Sequence, residues 1–330
     1  VDTASHIVIG LGIGALAQID PVVSDQLALS QAVMIGTLIG SNAPDFDFIY
    51  RLQGKGSYFR HHRGLSHSLP TLPLWAILVS GFVYPFFLGT NFLHLFLWSF
   101  LAVILHVLFD LFNVHGTQIL LPFSRKWIAF DAVPLIDPYI LALHFLGFGL
   151  LPFYQSGLTF LAIYLFIFLY LGIRISSTAA VKRHLNNHFV NAVRIKLIPR
   201  ITLFKWDVII ETDEDFLLGA YSEQSLSIEH TFSKIIEYPV LVSDSRKDQS
   251  ISDFLACTTY AYPFVYVRKN GFLVYWKDLR FRTKKFFPYL AIQFISSDLK
   301  RKNSYIGKVV SLKQYKKVIR NLTNPSSSIK

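Results

Sequence analysis

The chain has 330 residues, is 52% hydrophobic and has a mean hydropathy of +0.41, which excludes an ordinary soluble globule and points to a membrane. Residues 1–175 carry seven basic and eight acidic side chains, so 25 basic and 13 acidic ones lie beyond Ile175, and nearly all of the net +11 sits on the C-terminal half. Such a surface attracts anionic lipid headgroups and, less specifically, nucleic acid. Cys257 is the lone cysteine, which rules out an intrachain disulfide and a thiolate metal site and fits a reducing compartment.

In chain order, residues 7–19 and 28–43 form two short, glycine-rich apolar runs, read as tilted spans or as helices buried behind the others. No Lys or Arg precedes the first run and no cleavage site follows it, so it is not read as a removable signal. Gly10, Gly12 and Gly14 lack the strand, helix and acidic residue of a dinucleotide-binding turn. Gly10 with Gly14, and Gly36 with Gly40, are small residues one turn apart and suit close helix packing. Residues 69–89, 91–112, 134–153 and 157–175 are long enough for a hydrocarbon core of ~30 Å, which needs ~20 residues. Lys and Arg fall in residues 51–63, at 125–126 and from 174 onward, and are missing from 20–27, 85–91 and 151–156. The positive-inside rule then gives a multi-pass membrane protein with both termini cytoplasmic.

Residues 176–200 are basic and read as a juxtamembrane helix or linker. From 201 to 322 the pattern alternates in strand fashion: WDVIIE at 206–211, DFLLGAY at 215–221, and 264–281 with Asn270-Gly271 as a hairpin signal. A short helix is expected near 312–322 and a disordered tail over 323–330. The fold class is therefore an α-helical polytopic membrane domain of about six helices, the first two short, over residues 1–175. A small β-rich α+β cytosolic domain follows it.

Ionisable groups at the ends of membrane helices are costly unless hydrated, paired or bound to metal, and here they form a pattern. His6 opens the first run, Asp45 and Asp47 close the second, and His61, His62 and His67 enter the third. His106 and Asp110 end the fourth, and Asp137 begins the fifth. All lie at expected cytoplasmic ends. His106 and Asp110 share a helix face at i, i+4. Imidazole nitrogens and carboxylate oxygens converging from several helices suit zinc, manganese or iron. His94 and His144 lie away from these ends and read as packing or interfacial residues, and His115 as structural. Ser66 and Ser68 lack the strand–elbow–helix setting of an acyl-hydrolase nucleophile and read as helix caps or partners of the histidines.

The stretches DTASH (2–6), APDFD (43–47), HRGLSHS (62–68), HVLFD (106–110) and GTQILLPFS (116–124) resemble the bacterial inner-membrane metal-dependent hydrolases of the YdjM/YfhP type. DLRFR (278–282) and KNSYIG (302–307) are similar to the longer YfhP branch. The resemblance implies metal ligands at His6, Asp45, Asp47, His62, His67, His106 and Asp110. That is more than one coordination sphere holds, so two ions or some supporting residues are expected. The implied cofactor is a divalent transition metal, zinc first. Arg63 would suit a phosphate oxygen. The chemistry expected is attack of a metal-activated water on a phosphoester or ester of a lipid-like substrate at the cytoplasmic face, with Asp45 or Asp47 as general base. The alternative is a membrane-tethered regulator whose basic domain binds nucleic acid or protein. A transporter fits less well, because the ionisable groups gather at one face and not at the bilayer midplane.

Overall fold

The structure is a computed structural model that describes residues 2–283 and 287–323. Helices α1 (Thr3–Leu16), α2 (Pro21–Ser24), α3 (Leu27–Gly40), α4 (Lys55–His61), α5 (Thr71–Val83), α6 (Phe92–Phe112), α7 (Pro138–Leu150) and α8 (Ser156–His188) come first. Strands β1 (Arg194–Pro199), β2 (Trp206–Glu211), β3 (Asp215–Ser222) and β4 (Ser225–Ser233) then form a sheet in that order. After α9 (Pro239–Ser245) and α10 (Gln249–Cys257), strands β5 (Ala261–Arg268), β6 (Gly271–Asp278), β7 (Tyr289–Ser296) and β8 (Arg301–Lys308) form a second sheet, and α11 (Leu312–Thr323) closes the described chain. Two compact units result. The first is Val1–Asp47, Arg63–Ile210 and Leu217–His230; the second is Phe48–His62, Glu211–Phe216 and Thr231–Lys330.

In the first unit the six apolar runs are α1, α3, α5, α6, α7 and α8. Among the described residues, α6 and α8 are the single helices long and apolar enough to cross a membrane. The other two runs expected to be of spanning length are shorter as helices. The run at 69–89 gives α5 and then a 3-10 turn at Tyr84–Phe86, where Pro85 ends the α-helical bonding. The run at 134–153 gives α7, which starts only at Pro138 because Asp137 caps it, accepting from Tyr139 N and Ile140 N. Its 13 residues rise ~20 Å at ~1.5 Å each. Helix α6 is capped by Asn91, which accepts from Leu93 N and His94 N.

The glycine pairs do the packing they were expected to do. A Cβ on Gly10 would collide with Ser41, one on Gly14 would meet Met34 Sδ at 2.5 Å, and one on Gly36 would meet Ser99 Oγ at 2.5 Å. Helix α1 thus lies close on α3, and α3 on α6. A core of Ile9, Ile13, Phe109, Phe112, Phe160 and Ile167 fills the space among α1, α6 and α8. At the far end of α6 from His106, His94 Nδ1 lies 2.6 Å from Asp20 Oδ2, which also accepts from Trp98 Nε1. His144 Nδ1 lies 2.8 Å from the Ile140 carbonyl oxygen.

The 33-residue α8 continues beyond its apolar part to His188, so residues 176–188 extend the membrane helix. The following stretch RIKLIP forms β1 with alternate residues buried. Sheet structure therefore begins before residue 201, because a period of two reads as a strand where an amphipathic helix was expected. Leu185 of α8 packs against Ile195, Leu197 and Trp206, and buried Arg174 donates through Nε to the Ala132 carbonyl oxygen at 2.8 Å.

In the second unit, β5–β8 is an antiparallel meander. Its hairpin sits where Asn270-Gly271 predicts. Arg268 pairs with Gly271, so Lys269 and Asn270 form the loop. Gly271 has φ +147° and lies so close to the Ile295 carbonyl that a Cβ would collide with it. Alternation sorts β6 onto two cores. Val274 and Trp276 join Leu241, Ile251 and Phe254 from α9 and α10. Leu273 and Tyr275 join Leu322, with Tyr315, Val318 and Ile319 of α11 packed around them. Helix α4 is held to α10 by Arg60 Nη2–Asp253 Oδ1 at 2.6 Å, and Cys257 Sγ donates to the Phe59 carbonyl oxygen at 2.8 Å. Burial pushes the Cys257 thiol up to about 12, which makes it an inert structural cysteine. The expected tail over 323–330 lies outside the described residues except for Thr323, which ends α11.

Lys277 of β6 projects among aromatic rings, its Nζ 4.0 Å from the Phe264 centroid and 5.5 Å from those of Tyr266 and Tyr275. Burial lowers its ammonium to about 8. The unfolded chain, with a lysine near ~10.4, then binds more protons than the native one between these two values. The destabilisation due to Lys277 is therefore full below pH ~8 and relieved as pH rises toward ~10. Thermal unfolding followed by tryptophan fluorescence should show Lys277→Met melting above wild type at pH ~7.5, with the gap narrowing by pH ~9.5. An unchanged gap would sink this account.

Candidate metal centre

Four segments of the first unit bring donor groups to one buried point. Helix α1 supplies His6 in its first turns. The 3-10 stretch Ala43–Gln53 after α3 supplies Asp45 and Asp47, and a single 3-10 turn, Leu65–His67, supplies His67. Helix α6 supplies His106 and Asp110 from its last two turns, on one face. His6, His67, His106 and Asp110 are fully buried, while Asp45 keeps 20% of its side chain exposed.

The partners of the two central histidines fix their tautomers. His106 Nδ1 lies 2.7 Å from the carbonyl oxygen of Ser41. A carbonyl only accepts, so Nδ1 carries the proton and Nε2 presents a lone pair. The Ser66 hydroxyl donates to Asp47 Oδ2 at 3.0 Å, so its oxygen accepts from His67 Nδ1 at 2.8 Å. His67 is thereby set to the same tautomer. The two Nε2 atoms face each other at 3.2 Å, an opposition of lone pairs that is relieved by a proton or a cation between them.

The carboxylates complete the set. Asp45 Oδ1 is buried without a hydrogen-bond partner and lies 3.5 Å from His67 Nε2 and 3.8 Å from His106 Nε2. Asp110 Oδ2 lies 3.4 Å and 3.7 Å from the same two nitrogens. The ligand atoms of Asp45, His67, His106 and Asp110 all lie within 4.8 Å of one another. Tetrahedral ligands ~2.0–2.1 Å from a zinc ion stand ~3.3 Å apart, so the donors fit a small divalent cation in both identity and spacing.

The other expected residues of the first unit stand next to this set. The His6 ring stacks on His106 with centroids 3.8 Å apart, and its Nε2 lies 3.4 Å from Asp110 Oδ1. Its Nδ1 is buried without a partner, and His6 packs against the group of four whose ligand atoms lie within 4.8 Å of one another. Asp47 is also buried and accepts from Arg63 N and Ser66 Oγ through Oδ2, both at 3.0 Å. It holds the His67 loop. His62 belongs to the second unit, follows α4 as its C-cap and stacks on Tyr58 with ring centroids 4.7 Å apart. Arg63 is buried and donates through Nη2 to Asp110 Oδ1 at 3.0 Å and through Nη1 to Asn113 Oδ1 at 3.1 Å.

Asn113 and Ser41 were missed in the sequence. Asn113 Nδ2 donates to Asp110 Oδ1 at 3.3 Å, while its Oδ1 also accepts from His115 N at 2.8 Å. Its position three residues after Asp110, just past the end of α6, was the available signal. Ser41 acts through its main-chain carbonyl, which no side-chain pattern could reveal. The loop after α6 closes over the site, with Gln118 N donating to Arg63 O at 3.0 Å and Leu69 N to Ile119 O at 2.9 Å.

Comparison with known proteins agrees with this architecture. Residues 1–181 match the YdjM inner membrane protein family, and residues 240–319 match the YfhP C-terminal alpha/beta plait domain. The chain is similar to the uncharacterized protein YfhP of Bacillus subtilis (strain 168), with 34% identity over 328 residues, covering 97% of this chain and 99% of the relative. No solved structure matches. With more than half its length matched to that family and a near full-length relative of the same build, the chain belongs to the YdjM inner membrane protein family.

Proposed function

We propose that the chain is a divalent-metal-dependent hydrolase acting on a phosphoester or ester of a membrane amphiphile. The observation that carries this reading is the buried His67/His106/Asp45/Asp110 set, whose two Nε2 atoms stand 3.2 Å apart. Those four residues would hold the ion, zinc first and manganese or iron as alternatives. When bound, such an ion supplies Lewis-acid polarisation of the reacting centre and a water acidified toward neutral pH.

The chain's own residues divide the remaining work. Asp47 and Ser66 orient the His67 ring, Ser41 orients His106, and Arg63 with Asn113 holds Asp110. Asp45, the one partly exposed member, would take a proton from an attacking water through the carboxylate oxygen not turned to the ion. Basic loops at residues 51–63 and 125–126 support a cytoplasmic site with both termini on that side. A site opening at headgroup level suits a lipid or another amphiphilic phosphoester.

The test is metal analysis of detergent-purified protein together with hydrolysis assays on inner-leaflet phospholipids and a broader phosphoester and ester panel. Bound transition metal and turnover, both lost on chelation and restored by metal, are the expected result. Metal without turnover across the panel would favour a metal-stabilised membrane regulator.

A further inference from the structure

The second unit carries a surface that the proposed hydrolysis does not use. Residues 299–323 contain eight Lys and Arg and no Asp or Glu. Within them, Tyr315, Val318, Ile319 and Leu322 turn α11 onto the second sheet at i, i+3, i+4 and i+7. Lys313, Lys316, Lys317 and Arg320 follow the same spacing on the opposite face, and all four are exposed. None of the four takes part in an ion pair among the described residues. At the entry to the helix, Val310 and Leu312 stand beside these charges and are 65% and 63% exposed.

We infer that this α11 face docks on the anionic surface of a lipid bilayer, with Val310 and Leu312 entering the headgroup layer and the four basic side chains meeting lipid phosphates. Two observations select lipid over nucleic acid. The exposed apolar groups are aliphatic and cannot stack bases. The aromatic side chain of α11 is already engaged, since the Tyr315 ring stacks on Tyr275 at 6.2 Å and its hydroxyl donates to Tyr275 Oη at 2.8 Å. A basic helix face edged by aliphatic side chains is the composition of an interfacial anchor. Each such charge near an anionic leaflet strengthens partitioning about fivefold, and the attraction is screened within a Debye length. The inference is independent of the hydrolase reading.

The full chain, carrying Cys257→Ser and an environment-sensitive fluorophore on Leu312→Cys, is reconstituted into nanodiscs of phosphatidylcholine alone or mixed with phosphatidylglycerol. Emission is expected to shift to the blue in the mixed discs at low salt and to return at high salt. It should fall to the neutral-disc value when Lys313, Lys316, Lys317 and Arg320 are all replaced by Gln, and survive replacement of the three lysines by Arg. The same fluorophore on Val310→Cys repeats the disc comparison with every charge in place, so the reading does not hang on the quadruple variant folding. Equal emission in both discs overturns the inference. So does a shift that a DNA oligonucleotide produces in neutral discs.

Discussion

His67→Ala is expected to abolish metal retention, taking the purified chain from about one ion per molecule to none, while leaving the Arg63–Asp110 pair intact. Its effect on stability should depend on metal. In chelator it removes a fully buried ring and its hydrogen bond to Ser66, so the variant should melt below wild type by the cost of the cavity. With metal at a hundredfold excess over Kd, only wild type gains ~2.7 kcal/mol from binding, and the gap should widen by about that amount. Replacing His106 and Asp110 together also removes the metal, but it strands the buried Arg63 charge and should cost a further ~3–5 kcal/mol of stability. Ser66→Ala, which removes the hydroxyl that links His67 to Asp47, should weaken metal affinity ~10–100-fold without eliminating it. Equal metal content in wild type and His67→Ala would end the case for this centre.

The second large effect belongs to Arg63. Arg63→Ala leaves Asp110 buried without its guanidinium partner, and the expected loss is ~3–5 kcal/mol of stability. Arg63→Lys keeps a charge but cannot span both Asp110 and Asn113 as a planar fork does, so it should recover only part of that loss. The residue also sits at φ +60°, a left-handed conformation that costs a non-glycine residue ~1–2 kcal/mol. It is held there by the hydrogen bonds of Arg63 N to Asp47 and Arg63 O to Gln118. Arg63→Gly would relieve that strain yet lose the fork, so it should fall between the alanine and lysine variants. If Arg63 positions Asp110, metal affinity measured with no substrate present will drop in Arg63→Ala. If it serves substrate phosphate alone, that affinity will hold and only KM will rise.

Much of the architecture was legible because it depends on patterns that any buried surface enforces. The apolar runs, the glycines at i, i+4 and the Lys/Arg-free connections predicted a helical membrane half. Period-two alternation and Asn270-Gly271 predicted the β-rich half. What local pattern missed were the places where two periodicities overlap. Residues 194–199 alternate basic and apolar, and paired with the next strand instead of continuing α8. Pro85 and Asp137 cut two apolar runs into helices too short to span straight, a limit set by caps and main-chain bonding that hydropathy does not register.

The candidate site divides along the same line. Residue type and position along the chain already told which imidazoles and carboxylates could meet, because ionisable groups at membrane-helix ends are tolerated only with partners. Their roles were decided in three dimensions. Asp45 and Asp47 are two residues apart with the same chemistry, yet one aims an unpartnered oxygen at two histidines while the other is bound to Arg63 N and Ser66. Arg63, expected to suit a phosphate oxygen, also grips Asp110 and Asn113, a role that only the packed structure reveals. A sequence determines which donors a chain owns. Which lone pairs point inward depends on hydrogen bonds to distant groups, such as the carbonyl of Ser41 65 residues from His106, and these exist only after the helices have packed.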